Sequence, residues 1–237
     1  GKQKMNILDI VILFIMAVCM LNGAYNGFIL SALHAASFFL SWIIAAIFYP
    51  ILTEFIVSRF PKLLSTTAFY VDGSSRIGNV ENKLARISSF SKDQLSHVME
   101  KADLPNPFFR ILKSNIFKSA NGTKALGDFF DTTMATIVIH IISFLLLFLA
   151  TKLILNIVIN TFKTVRDLPV LKQLDGVAGM GFGLICGIFL IYMLFALVPI
   201  LMTIAPANII NEFLDGSLFA KFFYTTNVFT NLIRGSL

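Results

Sequence analysis

The sequence predicts an all-α integral membrane protein. About four transmembrane helices form two antiparallel pairs, separated by a polar, largely helical insertion and followed by amphipathic C-terminal helices. Three observations predict this. Of 237 residues, 57% are hydrophobic and 14% charged, and the mean hydropathy is +0.81, above the range of soluble domains of this size. The charges are segregated: Asp9 is alone between Ile7 and Phe48, Lys152 is alone between Met134 and Phe162, and none falls between Gly176 and Ile210. Each of these runs exceeds the roughly 20 apolar residues that cross about 30 Å of hydrocarbon.

The first pair occupies residues 1–50. Lys2 and Lys4 precede an apolar run from Ile7 to Leu21, as in a signal peptide, but no small-x-small cleavage site follows. Instead Asn22-Gly23-Ala24-Tyr25-Asn26-Gly27 leads directly into a second apolar run. Helix 1 is therefore expected over Ile7 to Tyr25 and helix 2 over Gly27 to Phe48, stopped by Pro50, which cannot donate the next helical hydrogen bond. So short a connection makes the two helices antiparallel neighbours.

Residues 51–132 are polar and rich in turn residues, with Asp72-Gly73-Ser74-Ser75, Pro105, Pro107 and Asn121-Gly122. Val80, Leu84, Ile87 and then Leu95, Val98, Met99 recur at helical spacing, and Ser91-Lys92-Asp93-Gln94 has the form of a capping box. Two or three short amphipathic helices are expected. The stretch from Pro107 to Lys118 mixes large apolar and basic residues, which fits a helix lying on a membrane surface or one packed on its neighbours. Asn121-Gly122-Thr123 matches a glycosylation sequon of little weight.

The second pair occupies residues 133–205. Helix 3 is expected over Met134 to Phe162, long enough to tilt or project, and helix 4 over Gly176 to Ile204, bent at Pro199. In residues 206–237, Ile209 to Leu214 and Phe219 to Phe223 read as interfacial amphipathic helices too short to span. Orientation signals conflict: Lys2 and Lys4 favour a cytoplasmic N-terminus, whereas Lys163, Arg166 and Lys172 favour a cytoplasmic loop between helices 3 and 4. The loop cluster weighs slightly more, placing both termini and the insertion outside.

A net charge of +6 does not imply nucleic acid, because eleven of the 19 Lys and Arg residues lie in the insertion among acidic ones, without a basic stripe. Anionic lipid headgroups suit them better. Cys19 and Cys186 lie in apolar runs without metal-ligand spacing.

Several residues carry possible function. At about 100° per residue, Gly176, Gly179, Gly183 and Gly187 share one face of helix 4, leaving a groove in which another backbone can approach closely; Gly23 and Gly27 repeat that spacing. Packing is the first reading of this face, a hinge or pore lining the second. Ser31, His34, Ser37 and Ser41 share a face of helix 2, and Thr136, His140, Ser143 and Thr151 one of helix 3, as either helix-packing groups or a proton or metal path. Lys152, with Asn156 and Asn160 at successive turns, is either a functional intramembrane charge or a snorkelling side chain. Asp9 and Asp175 sit where carboxylates favour helix starts, and could also define a polar site at a membrane face. No nucleophile elbow, phosphate loop, HExxH or catalytic carboxylate pair is present, so neither enzyme activity nor a cofactor is expected.

Five stretches together resemble the CvpA family, the bacterial colicin V production proteins. They are Asn6-Ile7-Leu8-Asp9, Gly23-Ala24-Tyr25-Asn26-Gly27-Phe28, Leu147 to Thr151, the glycine-rich block from Leu174 to Gly187, and Asp215-Gly216-Ser217-Leu218. The glycine block is the most specific. The resemblance implies a multipass protein of the bacterial cytoplasmic membrane, accessory to toxin production or secretion and to envelope homeostasis, with envelope or secretion proteins or its own copies as partners. The alternative is a small homo-oligomeric transporter or channel using His34, His140 or Lys152. The chain departs from the family where Ile29-Leu30-Ser31 replaces charged residues after the turn, where no arginine interrupts the glycine block, and in the length of its insertion.

Overall fold

A computed structural model describes residues 5–118, 123–161 and 172–234, without the side chains of 172–174 and 207. Lys2, Lys4, Lys163, Arg166 and the first two residues of the sequon lie outside them, as does the side chain of Lys172. The described residues are helical apart from turns and one isolated bridge between Arg86 and Ala125. Among the described residues, three helices are long and apolar enough to cross a membrane: Ile7–Arg59, Leu126–Thr161 and Asp175–Ile204.

Helix α1 (Ile7–Arg59) is interrupted at Gly27, whose φ of 77° and ψ of 177° are accessible to glycine and strained for other residues. Ser31 Oγ donates to the Gly23 carbonyl at 2.9 Å. In an unbroken helix residues eight apart are separated by about 12 Å, so the axis turns sharply at Gly27, within the expected connection. Pro50 does not stop the second half, which continues to Arg59. A proline removes a single ladder bond, whereas ending the helix among Ile47, Phe48, Ile51 and Phe55, all exposed on the protein, would open several backbone groups to an apolar surrounding.

The chain forms two compact units. The first contains Gly1–Phe48, Phe144–Ala196 and Asn208–Phe229. It takes the first part of α1, the C-terminal part of α6 (Leu126–Thr161), α7 (Lys172–Phe195), α9 (Ala207–Asp215) and α10 (Ala220–Thr225). Its interior is aromatic: Phe229 packs edge-on against Phe144 and Phe148 at 5.2 and 5.1 Å, and Phe38 lies about 6 Å from both Phe148 and Phe189. Edge-to-face rings contribute beyond the area they bury.

The second unit contains Tyr49–Ser143, Leu197–Ala207 and Thr230–Leu237. It comprises α2 (Pro61–Val71), α3 (Val80–Leu84), α4 (Lys92–Lys101), α5 (Phe108–Lys118), the start of α6 and α8 (Val198–Ile204), which carries Pro199 in its first turn, so the expected bend is a break just before that proline. Its core is Leu95, Met99, Phe108, Leu112, Ile116, Leu126 and Phe130, each fully buried. The capping box is present, with Ser91 N donating to Gln94 Oε1 at 2.8 Å and Gln94 N to Ser91 Oγ at 3.2 Å.

Two expectations for this segment change. The spacing of Val80, Leu84 and Ile87 does not mark a buried face. Helix α3 ends after five residues, leaving Val80 and Leu84 exposed while Ile87 turns inward. Helix α5 buries Phe108, Ile111, Leu112 and Ile116, so the packed reading of the Pro107–Lys118 stretch holds and the membrane-surface one fails. Helix α6 starts eight residues before Met134, because Phe129 and Phe130 are needed in this core and the following Asp131 accepts from Ser74 N at 2.7 Å.

Candidate functional site

The polar residues of the first unit fall into three places. At one end Asp9 is completely buried. Its carboxylate accepts from Asn6 N (2.9 Å), Ser217 Oγ (2.6 Å), Leu218 N (3.2 Å) and Phe219 N (3.0 Å). Asn6 adds a bond from its amide to the Phe213 carbonyl at 3.0 Å. Asp9 therefore caps its own helix, as the sequence suggests, and also clasps the turn between α9 and α10. Only the second role explains the Asp-Gly-Ser-Leu motif, and nothing in the local spacing around Asp9 could have signalled it.

Around Gly27 the turn of α1 meets the start of α7. Asp175 accepts from Phe28 N at 2.6 Å, an amide that the break at Gly27 leaves without a helical partner. A side chain at Gly27 would collide with that carboxylate. Asp175 thus locks the turn, while Asp9 serves the α9–α10 corner; each carboxylate has its own set of partners, so they do not build one shared polar site.

Between these places runs the glycine seam. A Cβ on Gly23 would overlap the Gly179 carbonyl, one on Gly179 the Gly23 carbonyl, and one on Gly183 the Cys19 carbonyl. Gly187 faces Cys19 Cβ at 3.3 Å, and Gly176 has room, its nearest neighbour being Ala24 O at 3.9 Å. The main chains of α1 and α7 are in direct contact, as the small-xxx-small pattern requires.

The third place is a cavity of about 250 Å³ whose wall sets Asn22, Asn26, His34, Lys152 and Asn156 among apolar groups that include Phe38 and Leu190. Lys152 is 8% exposed. Its Nζ donates to the His34 carbonyl (3.3 Å), to Asn156 Oδ1 (3.0 Å) and, closely, to Ser37 Oγ, and it lies 4.1 Å from the centre of the Phe38 ring. It does not snorkel. The hydroxyls of the helix 2 stripe serve the backbone: Ser31 bonds Gly23 O, Ser37 bonds His34 O at 2.7 Å and Ser41 bonds Ser37 O at 2.7 Å. His34 enters this place both through its carbonyl and as part of the cavity wall. Sequence reasoning did not connect Asn22, Asn26 and Cys19 to Lys152. The available signal was their i, i+3, i+7 spacing, which puts Cys19, Asn22 and Asn26 on one helical face.

His140 belongs to the second unit and is fully buried. Its Nδ1 lies 2.7 Å from the Arg234 carbonyl and its ring meets Tyr49 edge-on at 5.2 Å. That geometry requires the tautomer protonated at Nδ1. Tyr49 donates to the Leu232 carbonyl at 3.1 Å and accepts from Arg234 N at 3.0 Å, while Arg110 donates to the Thr230 carbonyl at 3.2 Å. Together they fasten residues 230–234. Among the described residues, His140 Nε2 and Ser143 Oγ have no hydrogen-bond partner, and no three His, Cys, Asp or Glu side chains gather as a metal site would need.

A family model described as colicin V production protein matches residues 8–78 and 116–227. The chain belongs to that family. The match covers most of the chain and includes Asp9, the glycine seam, Lys152, Asp175 and Ser217. Between the two matched stretches lie α3, α4 and most of α5. No curated protein and no solved structure matches the chain significantly.

Proposed function

We propose that the chain is a multipass protein of the bacterial cytoplasmic membrane that acts as an accessory factor in toxin production or secretion and in envelope homeostasis. The observation that carries this reading is the family match across both the apolar helices and the flanking polar segments. Four crossings are proposed: the two parts of α1 on either side of Gly27, then α6, then α7 continued by α8. The break at Gly27 and the Ser31–Gly23 bond support the first antiparallel pair. The protein has no catalysis of its own in this reading and works through envelope or secretion partners. Much of its apolar helix surface faces outward, with only 17% of the most apolar stretch of α1 buried inside the protein, leaving area for lipid and for partner helices.

The test is deletion in a toxin-exporting host with complementation by this chain, read as exported toxin and as detergent sensitivity, with photo-crosslinking in native membranes. Reduced export and crosslinks to envelope proteins are expected. Unchanged export, or crosslinks to copies of this chain alone, refutes the accessory role. A small homo-oligomeric transporter is a second reading, favoured by the cavity at Lys152; absence of ion or proton flux in liposomes would exclude it.

A further inference from the structure

We propose that the cavity beside Lys152 binds one small anion through a carboxylate or phosphate group. The three donors of the ammonium meet only neutral acceptors and a ring face. These satisfy its hydrogen bonds but leave its charge uncompensated. A cation held at 8% exposure in an apolar body carries a large desolvation penalty, of which a cation–π contact offsets only a part. No Asp or Glu lines the cavity among the described residues. The carboxylate at the Gly27 turn, Asp175, is engaged by Phe28 N.

The walls point to the same ligand chemistry. Asn22 and Asn26, bonded to each other at 3.2 Å, stand toward the turn of α1, and Asn156 stands one helical turn from Lys152. Their amides supply N–H donors along a path that ends at the ammonium. A cationic ligand would be repelled there, and an apolar one would leave the amides unpaired. A volume of about 250 Å³ lies below the lower end of drug-sized pockets, about 300 Å³, and suits a small solute or a single headgroup. The inference concerns binding alone and stands whether or not anything crosses the membrane.

Cys19 and Cys186 line the cavity and report on its electrostatics without any added label site. The full chain in phosphatidylcholine nanodiscs is reacted with sulfonatoethyl methanethiosulfonate, an anion, and with trimethylammonium-ethyl methanethiosulfonate, a cation; each rate is divided by that on free cysteine. The anionic reagent is expected to be favoured by about tenfold or more, the scale of a unit charge a few ångströms away. Lys152→Gln should abolish the preference and Lys152→Arg retain it, the second variant guarding against a folding defect in the first. Acetate or inorganic phosphate should slow labelling of the wild-type chain and leave Lys152→Gln unaffected. If the natural source is a lipid, phosphatidylglycerol nanodiscs slow labelling without added anion; if it is a free solute, only acetate or phosphate does. Equal normalised rates, thiols inert to both reagents, a preference that survives Lys152→Gln, or labelling that neither anion nor anionic lipid slows would each overturn the proposal.

Discussion

Gly179→Ala adds one methyl group at the point where α1 and α7 touch through their backbones. The new Cβ would overlap the Gly23 carbonyl oxygen and lie 3.0 Å from Gly23 C and 3.1 Å from Gly27 C. All three neighbours are main chain, so no side chain can swing away. Restoring ordinary contact requires the helices to part by about 1 Å, which forfeits a quarter to a half of the dispersion attraction along the seam. Overpacking of this kind costs about 1–3 kcal/mol. Alanine also gains about 0.5–1 kcal/mol over glycine inside a helix, so a net loss of about 1–2 kcal/mol is expected. Gly181→Ala is the internal control: nothing lies within 4 Å of its Cβ, so only the propensity gain remains and the protein should become slightly more stable. Thermal unfolding of both variants in detergent, followed by loss of monodisperse protein, measures the two signs. Equal stabilities, or a Gly181→Ala variant less stable than Gly179→Ala, would refute a backbone-contact seam.

Further outcomes are expected elsewhere. Asp9→Ala leaves the Leu218 and Phe219 amides and the Ser217 hydroxyl without their acceptor and should destabilise by about 2–4 kcal/mol, read as protease cleavage between α9 and α10; a cleavage pattern identical to wild type would contradict the clasp. Asp175→Ala removes one cap and should cost about 1 kcal/mol, half or less of the Asp9 effect in the same melting assay. Leu95→Ala empties a fully buried site of the second unit and should cost about 2–5 kcal/mol, detectable as a lowered melting temperature. Burial pushes the Tyr224 phenol from an ordinary 10.0 up to about 12. Its neutral form is favoured in the folded chain, so this contribution is complete below pH 10.0 and is lost as the pH rises toward 12. Tyr224→Phe should flatten that alkaline decline, and a variant that loses stability as steeply as wild type would refute the assignment.

The membrane helices and their glycine face were legible because both depend on local composition and on a period of 3.6 residues. Ser91 and Gln94 were legible for the same reason, since a capping box is closed within four residues. What escaped depends on distant partners. Val80 and Leu84 have the spacing of a buried face, but α3 is too short to settle that face on a core. Pro50 has the chemistry of a helix stop, yet an apolar surrounding makes an open backbone costlier than one missing bond. The polar stripe on helix 2 was visible, whereas its use, three serines returning bonds to the main chain and one also holding Lys152, follows from a sharp turn at Gly27 and from α6. Asp175 read as a cap for its own helix and proves to hold the amide after the turn of another.

The bond from Ser217 to Asp9 joins residues 208 positions apart in the chain. At about 5–20 residues added per second, Ser217 leaves the ribosome roughly ten to forty seconds after Asp9. During that interval the carboxylate has the local Asn6 amide but none of its three C-terminal donors. The Asp9 helix thus waits with a charge that only a segment 208 positions later can bury, which makes synthesis of that segment the event that closes the first unit.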